Sequence, residues 1–460
     1  MTLEEENATL RAENAALRAE LETLTAHLTT LRVQVEQLGA ALHTAQERIS
    51  ELEAKKTPPP AFVKANVPER PKQARKKRAS EENHARRLET PTQIVEHRLE
   101  CCPACQGRLS GVHLARRRQV VEVPPPPPVQ VTEHQVFRGW CSFCHAWREA
   151  SLNLAGQVLG QSRVGVGLAS LVAHLRVVVR APIRVIQAWL ASVHRVHLSV
   201  GEISDLLRRV AAHGQGVLQA VRERIRASPA VQADETGWRE NGQNGYVWFA
   251  GTPTGERYFE YHHSRAGSVI NALLGEDFAG VLGSDFYAAY NDAPGGRHQR
   301  CWAHLLRDLH ALKTDHATSL EVVVWARAVK DVYLLAQAWL VEGGERKRAY
   351  RELVLLIQAL GEQFAQVKGH PCQALAKRLL RHQDELFVFV LEPGVPADNN
   401  LAERSLRPLV IARKISGGTR SPVGSQTRMT LSSLFQTWQA RGLNPLHECF
   451  RLLQSPFPQF

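Results

Sequence analysis

The chain has 460 residues, 44% of them hydrophobic, with 57 Lys and Arg against 45 Asp and Glu for a formal charge of +12. That length exceeds one ordinary core, so several domains are expected, and the basic excess points to a polyanionic partner. The acidic start MTLEEENATL lacks the apolar core of a signal peptide, and no run approaches the ~18 apolar residues of a membrane span, so a cytoplasmic chain with no membrane partner is expected. Eight cysteines in such a chain point to metal or free thiols rather than disulfides.

Residues 1–56 carry heptads. Leu3, Leu10, Leu17, Leu24, Leu31 and Leu38 occupy d positions, continued by Ala45 and Leu52, with Asn7, Asn14, Leu21, Leu28, Val35, Leu42 and Ile49 at a. Leu at d with Asn at a favours a parallel, in-register coiled coil, because a misaligned Asn would face an aliphatic partner. Glu6 can reach Arg11 of the partner helix, and Glu13 can reach Arg18. A homodimer or higher oligomer is therefore expected, against the alternative of one amphipathic helix packing in cis.

Residues 57–97 read as a basic linker. From Lys55 to Arg87 there are eleven Lys and Arg against three Glu, and Arg75, Lys76, Lys77 and Arg78 form its densest cluster. Such a tether tracks phosphates without reading sequence. Residues 98–150 are bracketed by Cys102/Cys105 and Cys141/Cys144, the spacing of a zinc ribbon. Four thiolates leave no open position, so a single Zn²⁺ would be structural. Cys101 is an alternative to Cys102, and the CxxCH spelling ending at His145 also matches haem attachment, a reading disfavoured by the first CxxC and the missing export signal.

Residues 151–229 are rich in helical patterns. Ser199 and Glu202 have capping-box spacing ahead of EISDLLRRVAA, and the short HRVHLS link leaves a DNA-binding helix-turn-helix open beside ordinary helical packing. The pattern changes at Val231 to VQADETGW, YVWFAGT after the NGQNG turn, ERYFEYH after TPTG, a helix near Ala266–Leu274, then GVLGSDFY. Three strands joined by tight turns, a helix and a fourth strand open an RNase H-like fold, in which the fourth strand lies parallel to the first and brings Asp285 next to Asp234. The expected architecture is multidomain α/β. An RNase H-like catalytic core over 230–429, with a helical insertion at about 317–392, follows the coiled coil, the Cys₄ zinc ribbon and the helical segment. A helical tail covers 430–460.

Asp234, Asp285 and Glu403 are the candidate catalytic residues: two carboxylates on neighbouring strands and a third on a later helix can cage two Mg²⁺ (or Mn²⁺) ions, the arrangement phosphodiester chemistry requires. Each acid has another reading. Glu235 could face the site in place of Asp234. Asp285 could be a strand-end turn residue. Glu403 could close a capping box with Asn400 or pair with Arg407 at i+4. Cys301 and His304 have half a zinc site's spacing without a second pair, and a structural role is favoured for them. Arg404, Arg407, Arg413, Lys414, Arg420 and Arg428 follow Glu403 and are candidates for contact with the DNA backbone, Arg407 and Arg413 foremost.

The segments ADETGW, GSDFYAAYN, RCWAHLLRDL and DNNLAERSLRPLVIARK resemble the insertion-sequence-66 family of DDE transposases over nearly the whole chain. The resemblance implies an enzyme that nicks the 3′ ends of a bacterial element and joins them to target DNA, with Asp234, Asp285 and Glu403 as its metal-bound triad. It also places the family's Cys-x-x-His element on Cys301 and His304, and implies accessory proteins of the same element and a nucleoid-associated location. The stretch ISGGTRSPVGS after Lys414 departs from the Asn and aromatic residues of many relatives. A structure-specific RNase H-like nuclease, and a domesticated DNA-binding protein without transposition activity, are the alternatives.

Overall fold

The computed structural model describes residues 88–455 apart from Pro124 and Pro127, together with a few isolated positions before residue 48. The coiled-coil heptads and Arg75, Lys76, Lys77 and Arg78 lie outside the described residues. Two compact units are distinguished, residues 1–122 and 123–460. In the first, Cys102 opens a tight loop in which its N–H donates to Gly107 O and its carbonyl accepts from Gln106 N. All remaining elements belong to the second unit.

That unit begins with a two-stranded antiparallel hairpin, β1 (Arg138–Cys141) and β2 (Ala146–Glu149). Four helices follow: α1 (Val166–Val177), α2 (Ile183–His194), α3 (Val200–His213) and α4 (Gln215–Arg226). Ser199 and Glu202 do form the capping box at the start of α3, each side chain bonding the other residue's N–H. On α3, Arg208 and Arg209 both pair with Asp205, and Arg209 also reaches Leu159 O.

A mixed five-stranded sheet forms the centre. It comprises β3 (Ala230–Glu240), β4 (Gln243–Gly251), β5 (Arg257–His262), β6 (Val281–Ser284) and β7 (Arg297–Arg300), in the order β5-β4-β3-β6-β7. Asn241 and Gly242, both at positive φ, make the two-residue β3–β4 turn, the conformation that matches hairpin twist. Only the first half of NGQNG is therefore turn, and Gln243 onward is strand. Helix α5 (Gly267–Leu274) carries the chain from β5 to β6, which pairs with β3 in parallel, as the order of elements in the sequence led us to expect.

Helices α6 (Trp302–Asp315), α7 (Leu320–Glu342), α8 (Arg346–Ala365), α9 (Gln373–His382) and α10 (Val388–Leu391) share one apolar core around Trp302, Trp325, Ile357 and Phe387. This helical block takes in α6, upstream of the expected start near 317. The chain then returns through α11 (Asn400–Ser416), whose Ala402, Leu406 and Leu409 pack on Trp238, Val247, Phe249 and Phe259 of the sheet. Finally α12 (Pro422–Ala440) and α13 (Pro445–Gln454) join the first helices: Leu431, Leu434, Phe435, Cys449 and Leu453 share a core with Ala169, Val172, Ile186, Ile203 and Val210. The expected helical segment and helical tail are one packing unit. Among the described residues, no helix is long and apolar enough to cross a membrane.

Candidate active site

Asp234 lies in the middle of β3, and Asp285 is the first residue beyond β6. The parallel register pairs Ala230 with Val281, Val231 with Leu282 and Gln232 with Gly283, an offset of 51. Carried two residues further, the same offset puts Asp234 level with Asp285 on the adjacent strand, with neighbouring strands about 4.8 Å apart. Glu403 enters from the first turn of α11.

Electrostatics tie the three together. The Asp234 carboxyl is pushed up to about 7, first by burial, then by the Glu235 charge, with further contributions from Asp285 and Glu403. Burial and like charge both penalise the ionised form of a carboxyl in this position. Asp234 accepts the Glu235 N–H and Asp285 accepts the Tyr287 N–H, both at 2.8 Å. Neither acid forms an ion pair among the described residues.

Glu235, the alternative to Asp234, is spoken for. Side chains alternate along a strand, and its carboxylate is buried against Arg265 Nη2 at 2.6 Å and the hydroxyl of Tyr290. The capping-box reading of Glu403 also fails. The helix is entered through Asn399, no side chain caps it, and Asn400 bonds Asp398 instead. The side chains facing the Glu403 carboxylate are His304 at 3.5 Å and Arg307 at 3.9 Å, both on α6, rather than Arg407.

Cys301 and His304 bracket the segment that delivers Glu403. Cys301 is buried, its Sγ accepts the Asn399 N–H, and burial pushes its thiol up. One helical turn later, His304 faces Glu403. Two further residues, which motif reading passed over, complete the bracket. Asn399 Nδ2 donates to Ala233 O, directly before Asp234, and the Gln232 side chain donates to Asp398 O.

Arg300 was also overlooked. It is fully buried at the end of β7, where it holds Asp285 O at 2.9 Å, Asn291 Oδ1 at 3.0 Å and the Glu385 carboxylate. Burial opposes the Glu385 charge, yet hydrogen bonds from His382 and Arg300 prevail and bring that carboxyl down to about 2. The only hint in the sequence was an arginine closing a short strand just before Cys301.

Among the described residues, no three His, Cys, Asp or Glu side chains stand close enough together to hold a metal ion. The donor set nevertheless suits a hard divalent cation: carboxylates without cationic partners at Asp234 and Asp285, beside the unpartnered buried oxygens Gln232 Oε1 and Asn399 Oδ1. The cysteine loops fit zinc in a parallel way. Backbone N–H groups of Ala104 and Cys105 lower the Cys102 thiol, and those of Cys144 and Phe143 lower the Cys141 thiol. In each loop the residue after the second cysteine, Gln106 or His145, takes a left-handed conformation.

The basic residues after Glu403 divide. Arg404, Arg407, Lys414 and Arg420 are exposed. Arg413 donates to Gly237 O and straps α11 to β3. Arg428, expected with them at the DNA backbone, is 5% exposed and does not lie on the open surface that they share. The divergent stretch after Lys414 forms a turn against the end of β3. Gly418 sits at φ 106° so close to Arg239 that a Cβ would strike its carbonyl, while Thr419 N donates to Arg239 O at 2.9 Å.

Residues 161–427 match the family model described as transposase, IS66 family. The chain is 24% identical over 459 residues to the uncharacterized protein y4qI of Sinorhizobium fredii, covering 90% of this chain and 79% of that protein. It is 31% identical over 160 residues to the uncharacterized protein y4jO of the same organism, covering 33% of this chain and 46% of that protein.

Proposed function

The chain belongs to the IS66 family of transposases, and on that premise we propose that it is a DDE enzyme that nicks the 3′ ends of a bacterial insertion sequence and transfers them to target DNA. Asp234, Asp285 and Glu403 are its catalytic carboxylates on an RNase H-like core. The observation that carries this reading is the parallel register of β3 and β6, which sets Asp234 level with Asp285; the Asp234 carboxyl, pushed up to about 7 by burial, Glu235, Asp285 and Glu403, agrees with it. Two adjacent carboxylates, Asp234 and Asp285, that form no ion pair among the described residues are costly to a fold and are expected where a divalent ion is bound.

Asp234 and Asp285 would share the metals, and Glu403 would complete the second site. When bound, two Mg²⁺ (or Mn²⁺) ions lower the pKa of the attacking water or 3′-hydroxyl, neutralise the scissile phosphate and stabilise the leaving oxygen. The protein's own contribution is positioning. Asp234, raised to about 7, would bind a metal as the carboxylate. Asp285 is steadied by the Tyr287 N–H and by Arg300 on its carbonyl. His304 and Arg307 hold the Glu403 carboxylate from one side. Water attacks the phosphodiester at the element's end, breaking its P–O3′ bond to give a free 3′-hydroxyl and a 5′-phosphate on the flanking strand; that hydroxyl then attacks a target phosphodiester and displaces the target's 3′-oxygen.

DNA ends and target are the partners, with exposed Arg404, Arg407 and Lys414 contacting backbone beside the acids and Arg75–Arg78 adding non-specific attraction. The heptads would serve a dimer or higher oligomer, and Cys102, Cys105, Cys141 and Cys144 are the residues that would hold one structural Zn²⁺. The test is strand transfer by purified Asp285→Asn protein given pre-cut element ends and Mg²⁺. Joining should vanish while DNA binding persists. If the variant still joins ends to target, the assignment is wrong, and if wild type cuts but never joins pre-cut ends, the nuclease alternative takes its place.

A further inference from the structure

A cavity of about 220 Å³ opens between the end of α1, the middle of α11 and the face of α12. That is roughly seven times the liquid volume of a water molecule, room enough for a phosphate group. Its polar lining is all donor-capable: Arg180, Arg428, Ser432, Gln436 and Gln439. None of the three catalytic acids lines it.

The charge there is uncompensated. Arg428 is 5% exposed, its Nη1 donates to Arg176 O at 2.8 Å, and its Nε has no partner. Arg176 lies directly behind, with Nη1 on Ala181 O at 3.0 Å. Among the described residues no carboxylate forms an ion pair with Arg176, Arg180 or Arg428, whereas the neighbouring buried Glu256 is matched by both Arg224 and Arg441. Burial, with Arg176 adding to it, pulls Arg428 down to about 9. A guanidinium taken out of water without a counter-charge is strongly disfavoured, and the planar fork of Arg matches the oxygens of a phosphate bidentately.

We propose that this cavity is a phosphate-binding site separate from the carboxylate cluster, with Arg428 and Arg180 as its cationic ligands and Ser432, Gln436 and Gln439 as neutral donors. The phosphate is either a DNA backbone group or free inorganic phosphate. Only the DNA source rests on the transposase reading. Arg180 closes the loop after α1 in a left-handed conformation, φ 65°, which Asn tolerates well. Arg180→Asn therefore removes the charge without disturbing the backbone, and Arg428→Met removes the buried one at similar volume.

Full-length wild type and both variants are titrated with inorganic phosphate to about 50 mM at constant ionic strength, following the melting temperature. Wild type should show a saturable rise of about 3–5 °C, absent from both variants, with Arg428→Met at least as stable as wild type before phosphate is added. Duplex-DNA affinity is measured against salt in parallel. A slope shallower by about one in both variants identifies the backbone as the source, and an unchanged slope identifies free phosphate. The proposal is overturned if all three proteins gain equally, or if wild type gains nothing. Because the phosphate arm contains no DNA, its failure leaves the transposase reading standing, and failure of strand transfer leaves the phosphate result standing.

Discussion

Replacing Asp234 with Asn should make the metal-free protein more stable while destroying its activity. The Asp234 carboxyl is raised from 3.8 to about 7, so the folded state holds its proton more tightly than the unfolded chain does. The penalty for ionising it is absent below the unfolded pKa, grows as pH rises through the interval between about 4 and 7, and is complete above it. Three units at about 1.4 kcal/mol each set an upper value of about 4 kcal/mol at pH 8, falling to below about 1 kcal/mol near pH 4. Asn has the same shape and no charge, so Asp234→Asn should recover most of that difference. Urea midpoints in magnesium-free buffer across this pH range measure it. Wild type should lose stability relative to the variant from pH 4 to 8, and Mg²⁺ at pH 8 should restore wild type but not Asp234→Asn. Parallel pH curves for the two proteins, or a variant less stable at pH 8, would refute the claim that Asp234 is held in an uncompensated acidic cluster.

The neighbouring acid should behave in the opposite way. Glu235→Gln leaves Arg265 and Tyr290 without their buried charge partner, and a loss of about 3 kcal/mol is expected by urea denaturation; full stability with abolished cleavage would reverse the roles given to Asp234 and Glu235. Wild-type protein should carry about one zinc per chain by elemental analysis, and Cys141→Ser should lose it, since four-thiolate structural sites fail when one ligand goes. Zinc retained in full by the variant would remove Cys141 from the site.

Local chemistry was legible where it is carried by short-range pattern. The Asn241-Gly242 hairpin, the Ser199–Glu202 capping box and the strand-helix-strand path from β5 to β6 follow from turn preference, side-chain reach and periodicity, which involve residues close in sequence. The spacing between Asp234 and Asp285 equals the register offset of β3 and β6, so even that juxtaposition was implicit once the strands were recognised. Identity of the face was harder. Sequence left Glu235 and Asp234 as rivals, and in the fold Glu235 is buried against Arg265 and Tyr290 while Asp234 forms no ion pair among the described residues.

What the sequence by itself determined is the menu: which residues are acidic, which stretches are apolar at period 2 or 3.6, and which turns close quickly. The tertiary structure alone decided what faces what across long separations. Arg428 looked like one more surface cation near Glu403, yet the packing of α12 into the core of α1 to α3 buries it. Glu403 had the spacing of a cap partner, yet the strap from Gln232, Asn399 and Cys301 turns the start of α11 toward β3. These outcomes depend on burial and on partners from 98 to 252 residues away, and neither quantity is written in local pattern.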